Sequence, residues 1–195
     1  MRQAPKDRVI LPVLLAIIAS ACVIGCGQQR RVDPASSTGE LPDQEVSDFA
    51  VTETDQGRPL WKLYARDAAT FNSRNTVVAR SVRVDFFGED GKRTSTLQSR
   101  EGDLNQRSHD MTARGEVVLQ TTEGTRLSTE VLTFNNRDQK IRVPEDRLVR
   151  VERQGDVLTG YGFESDTDLH HYEFKRQVRA TVHTRSGGTV EENRR

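Results

Sequence analysis

Short runs of this chain alternate apolar and polar residues with a period of two, and they return at near-regular intervals. In Val82-Arg83-Val84-Asp85-Phe86, the residues Val82, Val84 and Phe86 share one face, and Arg83 and Asp85 share the other. Comparable β-rich runs follow at Glu116–Gln120, Leu148–Glu152 and Gln177–Val182. Successive side chains of a strand point to opposite faces, so this pattern predicts a sheet with one buried face.

Turn signals separate the runs. An apolar residue meets Asn at Phe71-Asn72, Leu104-Asn105 and Phe134-Asn135, spaced by 33 and 30 residues. Gly-bearing turns recur at Asp90-Gly91, Glu123-Gly124 and Gln154-Gly155, spaced by 33 and 31 residues. Asn and Gly tolerate the backbone angles that tight turns demand. Each unit therefore reads as strand, Asn turn, strand, Gly turn, and stacked units bury one continuous apolar stripe. The fourth run has no Gly turn after it and ends the array. In the first unit Leu60, Leu63, Tyr64, Ala68 and Phe71 also fit helical spacing, but Trp61, Leu63, Ala65, Ala69 and Phe71 alternate. The place of the segment in the repeat assigns it to a strand. The fold class is all-β and antiparallel.

Charge limits what such a sheet can do. The 195 residues carry 29 basic and 29 acidic side chains, so the electrostatic footprint of a nucleic-acid-binding protein is missing. With aromatics at 6%, the core must rest on Val, Leu, Ala and Phe. Both cysteines, Cys22 and Cys26, precede the repeats, which excludes a disulfide framework or a thiol metal site within the body.

The N-terminus reads as an address and a tether. Arg2, Lys6 and Arg8 precede an uncharged 17-residue stretch, Val9 to Gly25. A spanning helix needs about 20 apolar residues, and a plain signal peptide about 7–15. Two readings stay open for residues 1–26: a retained membrane anchor, or a signal peptide cleaved before a lipidated Cys26. The second rests on Val23-Ile24-Gly25-Cys26, which resembles a bacterial lipobox; Ala19-Ser20-Ala21-Cys22 fits less well. In both, the basic flank keeps the start of the chain in the cytoplasm and sends the body across the inner membrane. Residues 27–46 are polar and contain Pro34 and Pro42, which predicts a flexible linker before a body at 47–184. Residues 185–195 read as a disordered tail.

Several segments carry a family resemblance. Asp48-Phe49, Thr52-Glu53-Thr54, Gly57, Pro59-Leu60-Trp61, Leu63 and Ala65 resemble the opening of the LptC family. Met111–Val117 is similar to its central strand pair, and Leu158–Asp166 to a later run. The order of these segments behind a membrane tether carries the match. The resemblance implies an antiparallel twisted β-jelly-roll, a "taco", whose interior holds the acyl chains of lipopolysaccharide. It further implies transfer of that lipid from an ABC transporter of the LptB, LptF and LptG type to a periplasmic LptA-like bridge protein. Cys26 departs from the retained helix of many members.

On that reading the apolar face lines a lipid groove. The residues expected there are Trp61, Leu63, Val82, Val84, Phe86, Leu97, Met111, Ala113, Val117, Leu119, Val149, Val151, Val178, Ala180 and Val182. A dry sandwich core would look the same in sequence, so an envelope scaffold without lipid cargo stays open beside it. Gly57, Gly160 and Gly162 are expected at bulges or where a partner backbone approaches, with plain turn chemistry as the other reading. An unclosed sheet also has free edges that accept partner strands. Phe49 and Val51 mark the edge toward the transporter, and Val178 and Ala180 the edge toward the bridge.

Catalysis is not expected. His170-His171 with Asp166 and Asp168 could be drawn as a metal cluster, but adjacent residues on a strand face opposite ways, and a polar turn explains them. The chain contains neither a G-x-S-x-G elbow nor a G-x-x-x-x-G-K-[ST] loop, so transport energy must come from a partner. No cofactor or metal is expected.

Overall fold

The computed structural model describes residues 40–181. Strands β1 (Gln44–Asp55), β2 (Arg58–Phe71), β3 (Thr76–Phe87), β4 (Arg93–Asn105) and β5 (Met111–Thr121) are followed by β6 (Arg126–Asn135), β7 (Lys140–Arg153), β8 (Asp156–Asp166) and β9 (Tyr172–Thr181). All neighbours pair antiparallel in simple chain order, and β1 and β9 each pair on one side only, so the sheet is unclosed. The ambiguous segment Leu60–Phe71 is strand. β1 opens at Gln44, inside the polar stretch expected to form the linker.

The two kinds of turn sort to opposite ends of the sheet. Gly57, Gly91, Gly124 and Gly155 all lie at positive φ in the turns of one end. At the other end Asn side chains build the turns. Asn105 Oδ1 accepts from the amides of Arg107 and Ser108 at 2.9 and 3.0 Å. Asn135 Oδ1 accepts from those of Arg137 and Asp138, both at 3.1 Å. Asp166 does the same work in the last turn, accepting from the His170 amide at 3.1 Å.

Every strand is broken near its middle. In β2 the buried face runs Trp61, Leu63, Ala65, then steps by three to Ala68. In β3 it runs Val77, Ala79, then steps by three to Val82, Val84 and Phe86, across Ser81 at φ 53°. Asp48, Glu116 and Gln177 hold the same left-handed conformation within β1, β5 and β9. In β7 the register is lost between Val143 and Leu148, next to Pro144, which cannot donate to a ladder. These breaks line up into a crease across the sheet. The alternation expected through Ala69 and Phe71 fails because the crease re-aims the strand, which buries Ala68 instead.

The sheet folds along this crease into two leaves. Phe86 of β3 and Phe134 of β6 have ring centroids 5.1 Å apart. Three strand spacings, roughly 14 Å, separate those strands in a flat sheet. Ser95 Oγ of β4 donates to Thr167 O beyond β8 at 2.5 Å, and Trp61 Nε1 of β2 donates to Asn136 Oδ1 at 2.9 Å. The Gly-turn ends of early strands thus meet the Asn-turn ends of later ones, and the apolar face becomes the interior between the leaves.

Two glycines permit the closest approaches. A Cβ on Gly160 would lie 2.6 Å from the Phe174 ring. Gly162, at φ +65°, would place one 3.0 Å from Glu145 Cα. Gly57 thus sits in a turn, and at Gly160 and Gly162 it is this chain's own Phe174 and Glu145 that come close.

Candidate functional site

The interior is a single apolar surface shared by both leaves. Of the residues expected to line a groove, Trp61, Leu63, Val82, Val84, Phe86, Leu97, Met111, Ala113, Val117, Leu119, Val149 and Val151 are all buried in one cluster. The cluster also takes in Val77, Leu104, Leu127, Leu132, Phe134, Ile141 and Phe163, which the sequence reading did not place there. Val178 and Ala180 depart from the expectation of a lined groove. β9 is an edge strand, and both side chains are exposed, Val178 by 53%. They follow Leu158 on the inner face, since Ala180 lies opposite Leu158 in the register. Their apolar strip extends the interior outward at the free edge. Val182 and Cys26 lie outside the described residues.

At the other edge Phe49 and Val51 of β1 are half-buried and pack against the cluster. Both unpaired edges therefore continue the interior in apolar side chains.

The space between the leaves is narrow. Phe49, Leu63, Val84, Phe86, Met111 and Phe134 surround a cavity of about 20 Å³. That holds roughly one water molecule, whereas ligand pockets are commonly about 300–1,000 Å³. Around this cavity the side chains of the two leaves leave little free space between them. A wide groove of the kind the sequence suggested is not seen at this place.

Polar clasps hold the seam between the leaves. At one end His109 Nδ1 lies 3.0 Å from Glu53 Oε2, and the imidazole meets the Trp61 indole edge-on at 6.5 Å. At the other, His170 Nε2 lies 3.2 Å from Glu123 Oε1 and Nδ1 lies 3.0 Å from Asp168 Oδ2. The Glu123 hydrogen bond, helped by the charge of Asp168, raises the His170 pKa above its ordinary value. Burial and the neighbouring Asp166 carboxyl raise that of Asp168. Burial also works to raise Asp166, but hydrogen bonds from Asp168 and His171 outweigh it, and its pKa is lowered. The histidine pair is thus spent on turn and seam contacts. Among the described residues no group of three or more His, Cys, Asp or Glu side chains is placed to hold a metal ion.

Comparison with known families decides the assignment. The profile described as "Lipopolysaccharide-assembly, LptC-related" matches residues 12–183. The chain belongs to the LptC-related family. Membership ties this LptC-related chain to lipopolysaccharide assembly in general. Its fold is also similar to that of LptH from Pseudomonas aeruginosa, the LptA-homologous periplasmic component of a lipopolysaccharide transport device. That match has a TM-score of 0.51 at 13% identity and covers 67% of this chain and 99% of LptH. Comparison with curated protein sequences gives no match. Among the described residues no helix is long and apolar enough to cross a membrane.

Proposed function

We propose that this protein is a lipopolysaccharide carrier on the periplasmic side of the inner membrane, taking lipid from an ABC transporter and passing it to an LptA-like bridge. The observation that supports this most is the unclosed sheet itself. It is folded around a mainly apolar interior that runs out as apolar strips at both free edges. A transfer station needs an entrance and an exit, and β1 (Phe49, Val51) and β9 (Val178, Ala180) supply two edges suited to strand addition by partners.

The energetics favour a trough that opens for its cargo. Each CH₂ withdrawn from water gains about 0.8 kcal/mol. An acyl chain between the leaves replaces side-chain contacts with chain contacts, so opening exchanges one apolar packing for another. The main cost falls on the seam clasps and on reordering the crease. A shallow well suits relay, because a carrier that bound its lipid very deeply would not release it. The chain's role is binding and hand-over without catalysis or cofactor, and the N-terminal segment, through a lipidated Cys26 or a retained helix, keeps it at the membrane.

One observation favours a second reading, an envelope scaffold that carries no lipid: the cavity between the leaves measures only about 20 Å³. Mild purification of the full-length protein followed by lipid extraction and mass analysis separates the two. Carriage predicts a glycolipid recovered in a fixed ratio to protein. A scaffold returns only the phospholipid carried over by any membrane-tethered protein.

A further inference from the structure

Three consecutive Asn turns carry an arginine at the same place, two residues after the Asn: Arg74 after Asn72, Arg107 after Asn105 and Arg137 after Asn135. All three are exposed. The Asn side chains and backbone amides complete the two latter turns by themselves, so turn geometry does not require arginine there. The turns form one continuous rim. The Gln106 amide donates to Asn75 O at 2.8 Å, and the Asn136 amide donates to Asp110 Oδ1 at 2.8 Å.

The acids of this rim are already engaged. Asp43 accepts from the Asn72 amide at 2.7 Å, Asp110 from the Asn136 amide, and Asp138 is paired with Arg142. Arg107 and Arg137 form no ion pair among the described residues, whereas Arg74 is already engaged, with its guanidinium 4.2 Å from the Phe71 ring and a further partner. In the fourth turn the same place holds Asp168, so the basic row ends there.

The row sits directly beside the interior. Leu104, Met111 and Phe134, which wall the small cavity, are the residues next to the turns that bear Arg107 and Arg137. Successive turns of this rim are two strands apart, so Arg107 and Arg137 stand roughly 10 Å from each other. Such a pair suits a headgroup with separated phosphates better than one small ion. Arginine also matches phosphate geometry through paired hydrogen bonds.

We propose that Arg107 and Arg137 form a rim that binds the phosphates of the glycolipid headgroup while its acyl chains lie between the leaves. This rests on the carrier reading and adds how the headgroup is held.

The test uses purified full-length protein and the Arg107→Gln/Arg137→Gln double variant. Each is titrated with intact lipopolysaccharide and with enzymatically dephosphorylated lipopolysaccharide, with inorganic phosphate as competitor. The rim predicts a roughly five- to tenfold loss of affinity in the variant for the intact lipid only. It predicts a similar loss in the wild type when the lipid is dephosphorylated. Equal wild-type binding of the two lipids overturns the rim and leaves the carrier reading standing, even if the variant fails to fold. Displacement by millimolar inorganic phosphate also overturns it, marking a site for a free ion. Failure of the wild type to bind either lipid overturns the carrier reading and the rim together.

Discussion

The Phe86 and Phe134 rings lie 5.1 Å apart with their planes tilted by 53°, although β4 and β5 separate their strands in the sheet. This contact is the fold in miniature, because it exists only when the sheet is creased. Phe86 is 1% exposed and Phe134 is 2% exposed. Truncating either to Ala is expected to cost about 3–5 kcal/mol. Urea unfolding of the two single variants and the double variant should show losses that fall short of additive, by about 0.5–1.5 kcal/mol for the ring pair. Full additivity would mean that the rings do not meet.

Gly160 and Gly162 permit β9 to lie close over β8. Gly160→Val would drive a side chain into Phe174, and Gly162→Ala would force a Cβ at φ +65° against the Glu145 backbone. The alanine variant is expected to lose at least about 1–2 kcal/mol from the left-handed backbone alone. Hydrogen exchange should show the loss concentrated in β8 and β9. Gly57 makes a useful comparison: it shares the positive φ, but a Cβ there meets nothing within 4 Å, so only the backbone penalty applies.

The exposed edge behaves oppositely. Val178→Asp and Ala180→Asp are expected to change stability by less than about 0.5 kcal/mol, since both positions face solvent. They should nonetheless weaken capture of an LptA-like bridge in a pull-down. Unaltered capture by a folded variant would remove β9 as the bridge edge.

The His170 clasp gives the seam a pH dependence with a definite sign. Glu123, Asp168 and Asp166 all face this imidazole and favour its charged form, so its pKa is higher with the seam closed than with it open. The clasp is therefore fully present below the ordinary histidine value of about 6.5 and is lost as pH rises through the raised one. Asp168, also raised, works in the same direction at lower pH. Amide exchange in the Asp166–His171 turn should speed up as pH climbs past about 6.5, after correction for intrinsic exchange. His170→Gln should flatten that rise, and a flat wild-type profile would show that the clasp carries no titrating contact.

Holding the leaves together should block loading. Glu53→Cys with His109→Cys places thiols on facing leaves where the native side chains are 3.0 Å apart. A short thiol cross-linker across them is expected to abolish lipopolysaccharide uptake, and cleaving the linker should restore it. Uptake by the cross-linked protein would show that lipid does not enter between the leaves.

Much of the architecture is legible from residue order because turn chemistry is local. Asn72, Asn105 and Asn135 at one end, and Gly91, Gly124 and Gly155 at the other, fix where strands reverse. The alternation in Val82–Phe86 fixes which face is buried. The crease escapes a reading of local pattern, although it leaves a trace: the buried positions change parity between Ala79 and Val82, and again between Ala65 and Ala68. That step of three looks like helical spacing in a single strand, which is why Leu60–Phe71 is ambiguous. Alternation also misleads at an edge: Gln177–Thr181 alternates like a core strand, but β9 has a neighbour on one side only. Packing between leaves depends on contacts three strands apart, and no local pattern records whether such a space is filled or hollow.

The central claim is that hydrocarbon lies between the leaves. In-cell photo-crosslinking from Phe86 and Met111, both buried in the interior, tests it most directly, with Tyr64 on the outer face as the comparison. A glycolipid adduct from Phe86 and Met111 but not from Tyr64 is the predicted result. No adduct from the interior positions of folded, correctly exported protein would contradict the account.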